Sequence, residues 1–153
     1  MINSVLFVCT GNSCRSVMAE GLMRKRLREL GKENISISSA GTSTLDGLSP
    51  TDGTIMVMKE EGIDVSGHRS RSLTADMIKK AGLILTMEES HKDEVLRIFP
   101  AVAKTHVLKK YENTDEGGSA AQGIRDPIGG SIETYRAIKD EIKREIERFV
   151  KKL

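Results

Sequence analysis

Two cysteines, an arginine and a cluster of small residues stand together near the start of this 153-residue chain, as C-T-G-N-S-C-R-S over residues 9–16. An ionised thiol is among the best nucleophiles a protein owns, and electropositive surroundings favour that form. Cys9 follows the apolar run S-V-L-F-V at residues 4–8, and helical periodicity begins at about residue 16. The motif therefore joins a strand end to a helix start. Such a junction traps anions, because the first N–H groups of a helix lack intrahelical partners and the helix dipole adds partial positive charge. Gly11 supplies the backbone freedom that a closed loop requires. The loop amides from Thr10 to Cys14 then form a cradle the size of a phosphate dianion, with Cys9 expected at its entrance. Arg15, six residues after Cys9, can lay its planar guanidinium under the same anion through two parallel hydrogen bonds. Ser16 can stabilise the thiolate through its hydroxyl. An isolated cysteine at a strand end is ordinarily a small buried apolar residue; the placement after a first strand, with arginine at this spacing, favours the nucleophile.

A thiolate that attacks phosphorus needs an acid for the leaving group. Asp126, in R-D-P-I-G-G over residues 125–130, is held extended by the following proline, so its carboxylate can project from a turn. Alone it would be read as a surface turn; beside the Cys9 loop, the acid–base reading is favoured.

The elements that must position these groups alternate. A strand is expected at residues 4–8, a helix from about 16 that Gly31 stops, and a strand at 35–39 closed by A-G-T. A helix over about 51–61 follows, then a polar stretch at 67–72 that reads as exposed or ligand-facing. An apolar run at 82–87 is the third strand, a charged helix spans 88–98, and residues 105–108 make a fourth strand. Residues 111–130 read as one long loop. Ile132, Tyr135, Ile138, Ile142, Ile146 and Phe149 mark one face of a closing helix of about twenty residues. The order implies an α/β fold: a single-domain three-layer sandwich around a short, mainly parallel four-stranded sheet, with ligands bound beyond the carboxyl ends of its strands.

Composition narrows the function. Lys plus Arg number 24 against 22 Asp plus Glu, with 3% aromatics and no Trp. Neither phosphate neutralisation nor base stacking is supported, so nucleic acid is not expected as a partner. No apolar run reaches the ~20 residues of a membrane helix, and no cleavable leader is visible. Two cysteines are too few for a disulfide framework or a structural zinc site. A cytoplasmic, reducing setting follows.

The pairing of V-C-T-G-N-S-C-R-S with R-D-P-I-G-G about 110 residues further on resembles the low-molecular-weight protein tyrosine phosphatase family. The likeness extends to chain length, the S-S-A-G-T turn at 38–42 and the long final helix. The resemblance implies a phosphocysteine intermediate on Cys9, oxygen binding by the loop amides and Arg15, and Asp126 acting first as acid and then as base. It implies phosphorylated proteins as partners and no metal or cofactor; the sequence does not fix the oligomeric state, for which a monomer is the expectation. It further implies a left-handed Asn12 partnered by His68, although His68 could equally be a surface histidine, and Cys14 as the thiol of a reversible disulfide with Cys9. Ser13 and Ile128 bear on specificity. Tyrosine phosphatases of the family usually carry a bulky aliphatic residue at the first of these places, whereas its bacterial protein arginine phosphatases carry a small hydroxyl residue. Ser13 therefore favours phosphoarginine over phosphotyrosine. Ile128 departs from the aromatic residue usual in both.

Three other readings compete. An arsenate reductase on this scaffold needs further cysteines downstream, and none follows Cys14. A phosphocarrier of a sugar phosphotransferase system has no need of Arg15 or Asp126. A non-catalytic anion-binding module would leave Cys9 merely structural.

Overall fold

The computed structural model describes residues 1–112 and 123–153. Its centre is β1 (Ser4–Cys9), whose side chains alternate between two covered faces: Val5 and Phe7 enter one apolar cluster, Leu6 and Val8 the other. That double burial explains why the strand reads as an unbroken apolar run. β1 pairs in parallel with β2 (Ser36–Gly41) on one side and with β3 (Leu83–Thr86) on the other. β4 (Thr105–Val107) joins β3 in parallel, giving a sheet of four strands in the order β2-β1-β3-β4.

Helices cover both faces. α1 (Arg15–Glu29), α2 (Asp52–Glu60) and α5 (Ile132–Val150) supply the cluster around Phe7. α3 (Ala75–Lys80) and α4 (Glu89–Ile98) supply the cluster around Leu6 through Ile78 and Val95. The expected three-layer architecture is present. Because β2 and β3 flank β1 on opposite sides, the chain reverses its winding at the carboxyl end of β1, the place where open α/β sheets bind ligands.

The structure corrects several sequence expectations. β2 runs on through Ala40 and Gly41, residues read as a closing turn, because Val8 and Cys9 pair with them and continue the ladder. α3 was not expected: it has only six residues with Ile78 as its buried one, too short for periodicity to register, and Thr74 caps it by accepting from Met77 N. The polar stretch at 67–72 is not uniformly exposed. Ser70 is buried and clamps the loop before α2, accepting from Leu48 N and donating to Leu45 O. Of the long loop expected at 111–130, residues 113–122 lie outside the described residues. Among the described residues, no helix is long and apolar enough to cross a membrane.

Candidate active site

The carboxyl end of β1 leads into residues 10–14, folded tightly against the end of β2. Thr42 N donates to Cys9 O at 2.9 Å and Ser43 N to Thr10 O at 3.0 Å. This approach requires glycine at 41, since a Cβ there would lie 2.5 Å from Thr10 O and 3.0 Å from Asn12 N. The loop's one left-handed residue is Asn12, with φ of 52°. The freedom expected of Gly11 is not used, since its φ is not positive; the left-handed residue is the Asn12 that the family resemblance implied, whose short polar side chain bonds locally.

Asn12 is wholly buried. Its Oδ1 accepts from Arg71 N at 2.9 Å, and its Nδ2 donates to Ser16 Oγ at 2.8 Å and Ser39 Oγ at 2.9 Å. The half-buried His68 ring donates from Nε2 to Asn12 O at 3.1 Å. Ser16 Oγ, accepting from Asn12, keeps its own proton for Cys9 Sγ, 2.9 Å away. Cys9 does not stand at an open entrance as expected: it is 2% exposed, at the foot of the loop.

The loop is rich in uncommitted donors. Among the described residues, no backbone N–H of residues 10–14 finds an acceptor. α1 begins without a side-chain cap and without an acidic residue in its first turn, so nothing of its own neutralises its positive end. Buried amides in folded proteins are almost always satisfied, so a loop with this many free donors is built for an anion.

Arg15 is buried to 2% exposure, and its guanidinium is fixed from one side. Nη1 is saturated, donating to Glu88 Oε1 at 2.9 Å and Ile124 O at 2.8 Å. Nη2 donates to Thr10 Oγ1 at 3.3 Å and lies 3.6 Å from Asp126 Oδ2. Nε makes no hydrogen bond to a described residue, so the edge formed by Nε and Nη2 remains for a ligand. Asp126 is exposed, and its Oδ1 accepts from Ile128 N at 3.0 Å in a side-chain-closed turn. The preceding segment docks beside β3: Ile124 N donates to Met87 O at 2.8 Å, and Gly123 permits this because a Cβ would meet Met87 O at 2.7 Å. Arg15 and Asp126, more than a hundred residues apart in sequence, thus meet beside the loop that begins at Cys9.

Cys14 has partners of its own. Its Sγ lies 3.3 Å from Thr51 Oγ1 and 3.7 Å from Tyr135 OH, and both cysteines are free thiols. Burial pushes the Tyr135 phenol above its ordinary range, so it stays protonated beside the sulfur. Ser13 is half-buried; its carbonyl accepts from Thr51 N and its hydroxyl has only a long contact of 3.8 Å to Cys14 Sγ. Ile128 is 61% exposed.

Sequence reading missed Glu88, His91, Ser39, Arg71, Thr51 and Tyr135. For Glu88 and His91 a signal existed: both follow β3, whose carboxyl end adjoins that of β1, and adjacent strand ends converge on one site. Arg71 falls in the polar 67–72 stretch read as exposed or ligand-facing, whereas Ser39 carries no such mark.

Comparison with known proteins places the site in context. The family model described as low molecular weight phosphotyrosine protein phosphatase matches residues 4–153. A protein-arginine-phosphatase of Geobacillus stearothermophilus is 39% identical over 150 residues, 97% of this chain and 95% of that protein. The solved arginine phosphatase YwlE of that organism superposes with a TM-score of 0.86 at 38% identity, covering 97% of this chain and 91% of that one. A probable low molecular weight protein-tyrosine-phosphatase, AmsI of Erwinia amylovora, is 35% identical over all of this chain and 99% of its own. A mutant YwlE structure with a phosphorylated active-site serine superposes with a TM-score of 0.89 at 30% identity, covering 98% of this chain and 95% of that one.

Proposed function

The chain belongs to the low molecular weight phosphotyrosine protein phosphatase family, and from that premise we propose that it hydrolyses phosphorylated protein side chains, phosphoarginine ahead of phosphotyrosine. In this reading the loop amides of residues 10–14 and the free edge of Arg15 hold the phosphoryl oxygens. The thiolate of Cys9 attacks phosphorus, an S–P bond forms, and the P–N bond to the guanidino nitrogen breaks. Asp126 gives its proton to that nitrogen, which keeps the electron pair of the broken bond, so arginine leaves as its ordinary guanidinium cation. Water then attacks the phosphocysteine and returns its proton to Asp126; the S–P bond breaks and inorganic phosphate departs. Ser16 stabilises the thiolate as it leaves, and Asn12 with His68 keeps the loop in shape. No step calls for a metal or cofactor. Two free thiols suit a reducing, cytoplasmic setting, and the reading treats residues 1–153 as one monomeric domain.

The substrate preference rests on the Ser13 hydroxyl, which has no strong partner of its own and in this reading accepts from the N–H donors of a phosphoguanidinium. A buried donor left unpaired costs about 1–3 kcal/mol, so a hydroxyl favours the guanidinium and an aliphatic residue the phenyl ring. The test measures kcat/KM for phosphoarginine and phosphotyrosine peptides with the parent and Ser13→Ile. The parent favours phosphoarginine, and the substitution moves the ratio toward phosphotyrosine by about tenfold or more. A parent that favours phosphotyrosine, or a ratio that Ser13→Ile leaves in place, overturns the preference.

A further inference from the structure

Among the buried titratable groups that the mechanism does not use, His91 lies against the phosphate loop. His91, on the first turn of α4, is 3% exposed and bonded through both ring nitrogens. Glu88 N donates to its Nδ1 at 3.0 Å, and its Nε2 lies 2.9 Å from Thr10 Oγ1. A backbone N–H has only one way to bond, so Nδ1 must carry a lone pair. In the neutral ring the proton therefore sits on Nε2 and is donated to Thr10. Burial and the Arg15 charge hold His91 down to about 4, so the ring is neutral at the pH of the cell.

The consequence falls on Thr10. Its oxygen also accepts from Arg15 Nη2 at 3.3 Å. With both lone pairs occupied, the hydroxyl can act only as a donor, and its proton must leave along the remaining tetrahedral direction, away from His91 and Arg15. Those two partners are buried while Thr10 is exposed, which leaves the hydroxyl proton available to a ligand at the phosphate loop. We infer that His91 is a positioning residue of the phosphate site, which fixes the polarity of the Thr10 hydroxyl so that it donates to a bound phosphoryl oxygen and braces the guanidinium of Arg15.

The inference rests on the phosphatase reading but not on its substrate preference. Its test therefore uses p-nitrophenyl phosphate as substrate and inorganic phosphate as competitive inhibitor. Thr10→Val and His91→Leu each weaken phosphate inhibition and lower kcat/KM about fivefold, the worth of one neutral hydrogen bond. The double variant is no worse than either single one, because both remove the same donor. His91→Gln, whose amide nitrogen can donate at the place of Nε2, stays within about twofold of the parent, as does Thr10→Ser. A double variant that loses about 25-fold, the product of two independent fivefold losses, overturns the inference. So does His91→Gln behaving like His91→Leu, or Thr10→Val binding phosphate as the parent does. If His91→Leu does not fold, His91→Met takes its place beside Thr10→Val in the same cycle. A parent with no turnover of the ester counts against the phosphatase reading, and phosphate affinity measured by calorimetry on the same variants then decides the inference separately.

Discussion

Replacing Asn12 measures what holds the phosphate loop in shape. Its side chain makes hydrogen bonds to Arg71 N, Ser16 Oγ and Ser39 Oγ from a fully buried position, and its backbone stands at φ 52°. Asn12→Ala removes all three bonds, at about 1 kcal/mol each, and adds about 1 kcal/mol of left-handed strain on a residue that lacks asparagine's locally bonding side chain. The Arg71 amide is left without its acceptor. A loss near 4 kcal/mol follows, which for a domain of this size lowers the melting temperature by about 10 °C. Asn12→Gly loses the bonds without the strain and falls about 1 kcal/mol short of that. Urea denaturation gives the two stabilities, and titration with inorganic phosphate reads the loop directly. Binding weakens in both variants because Ser16 loses the partner that aims its proton at Cys9. Were Asn12→Ala to remain within 1 kcal/mol of the parent, or both variants to bind phosphate unchanged, the account of the loop given above would be wrong.

Cys9→Ser abolishes turnover of phosphorylated peptides while retaining phosphate binding, since the amides and Arg15 remain; residual activity at parental rates would remove Cys9 from the mechanism. The Glu61 carboxylate is held at about 2, against an ordinary 4.5, chiefly by hydrogen bonds from Lys139 and then Lys143. A depressed folded value stabilises above the unfolded one and is lost as pH falls, so this contribution is complete above about 4.5 and gone below about 2. Melting temperatures of Glu61→Gln therefore fall less steeply than the parent's between those limits, and parallel curves would contradict the assignment.

The parts of the site that were legible in sequence are those whose chemistry and position coincide in a short stretch. Cys9, Arg15 and Ser16 fall within one strand-to-helix junction, so residue type and local structure pointed the same way. Asp126 was readable because proline restricts it and no other acid stood in comparable turn chemistry. The supporting groups were not, because Ser39, Arg71, Glu88 and His91 reach the loop only through sheet order and long-range bonds. The order β2-β1-β3-β4 is a tertiary fact that periodicity along the chain does not encode. The same limit explains β2: Ala40 and Gly41 look like a turn until their pairing with Val8 and Cys9 is known. α3 went unread because six residues complete fewer than two turns.

The bond from Arg15 Nη1 to Ile124 O means that one cation stitches the first loop of the chain to the segment bearing its acid. Kinetic defects in an Arg15→Lys variant will therefore be composite. Lysine offers a single ammonium in place of a fork, so holding Glu88, the Ile124 carbonyl and an incoming anion at once is beyond its reach. Such a variant loosens the proton donor as well as the oxyanion grip, and its slow leaving-group step cannot be ascribed to weakened affinity alone.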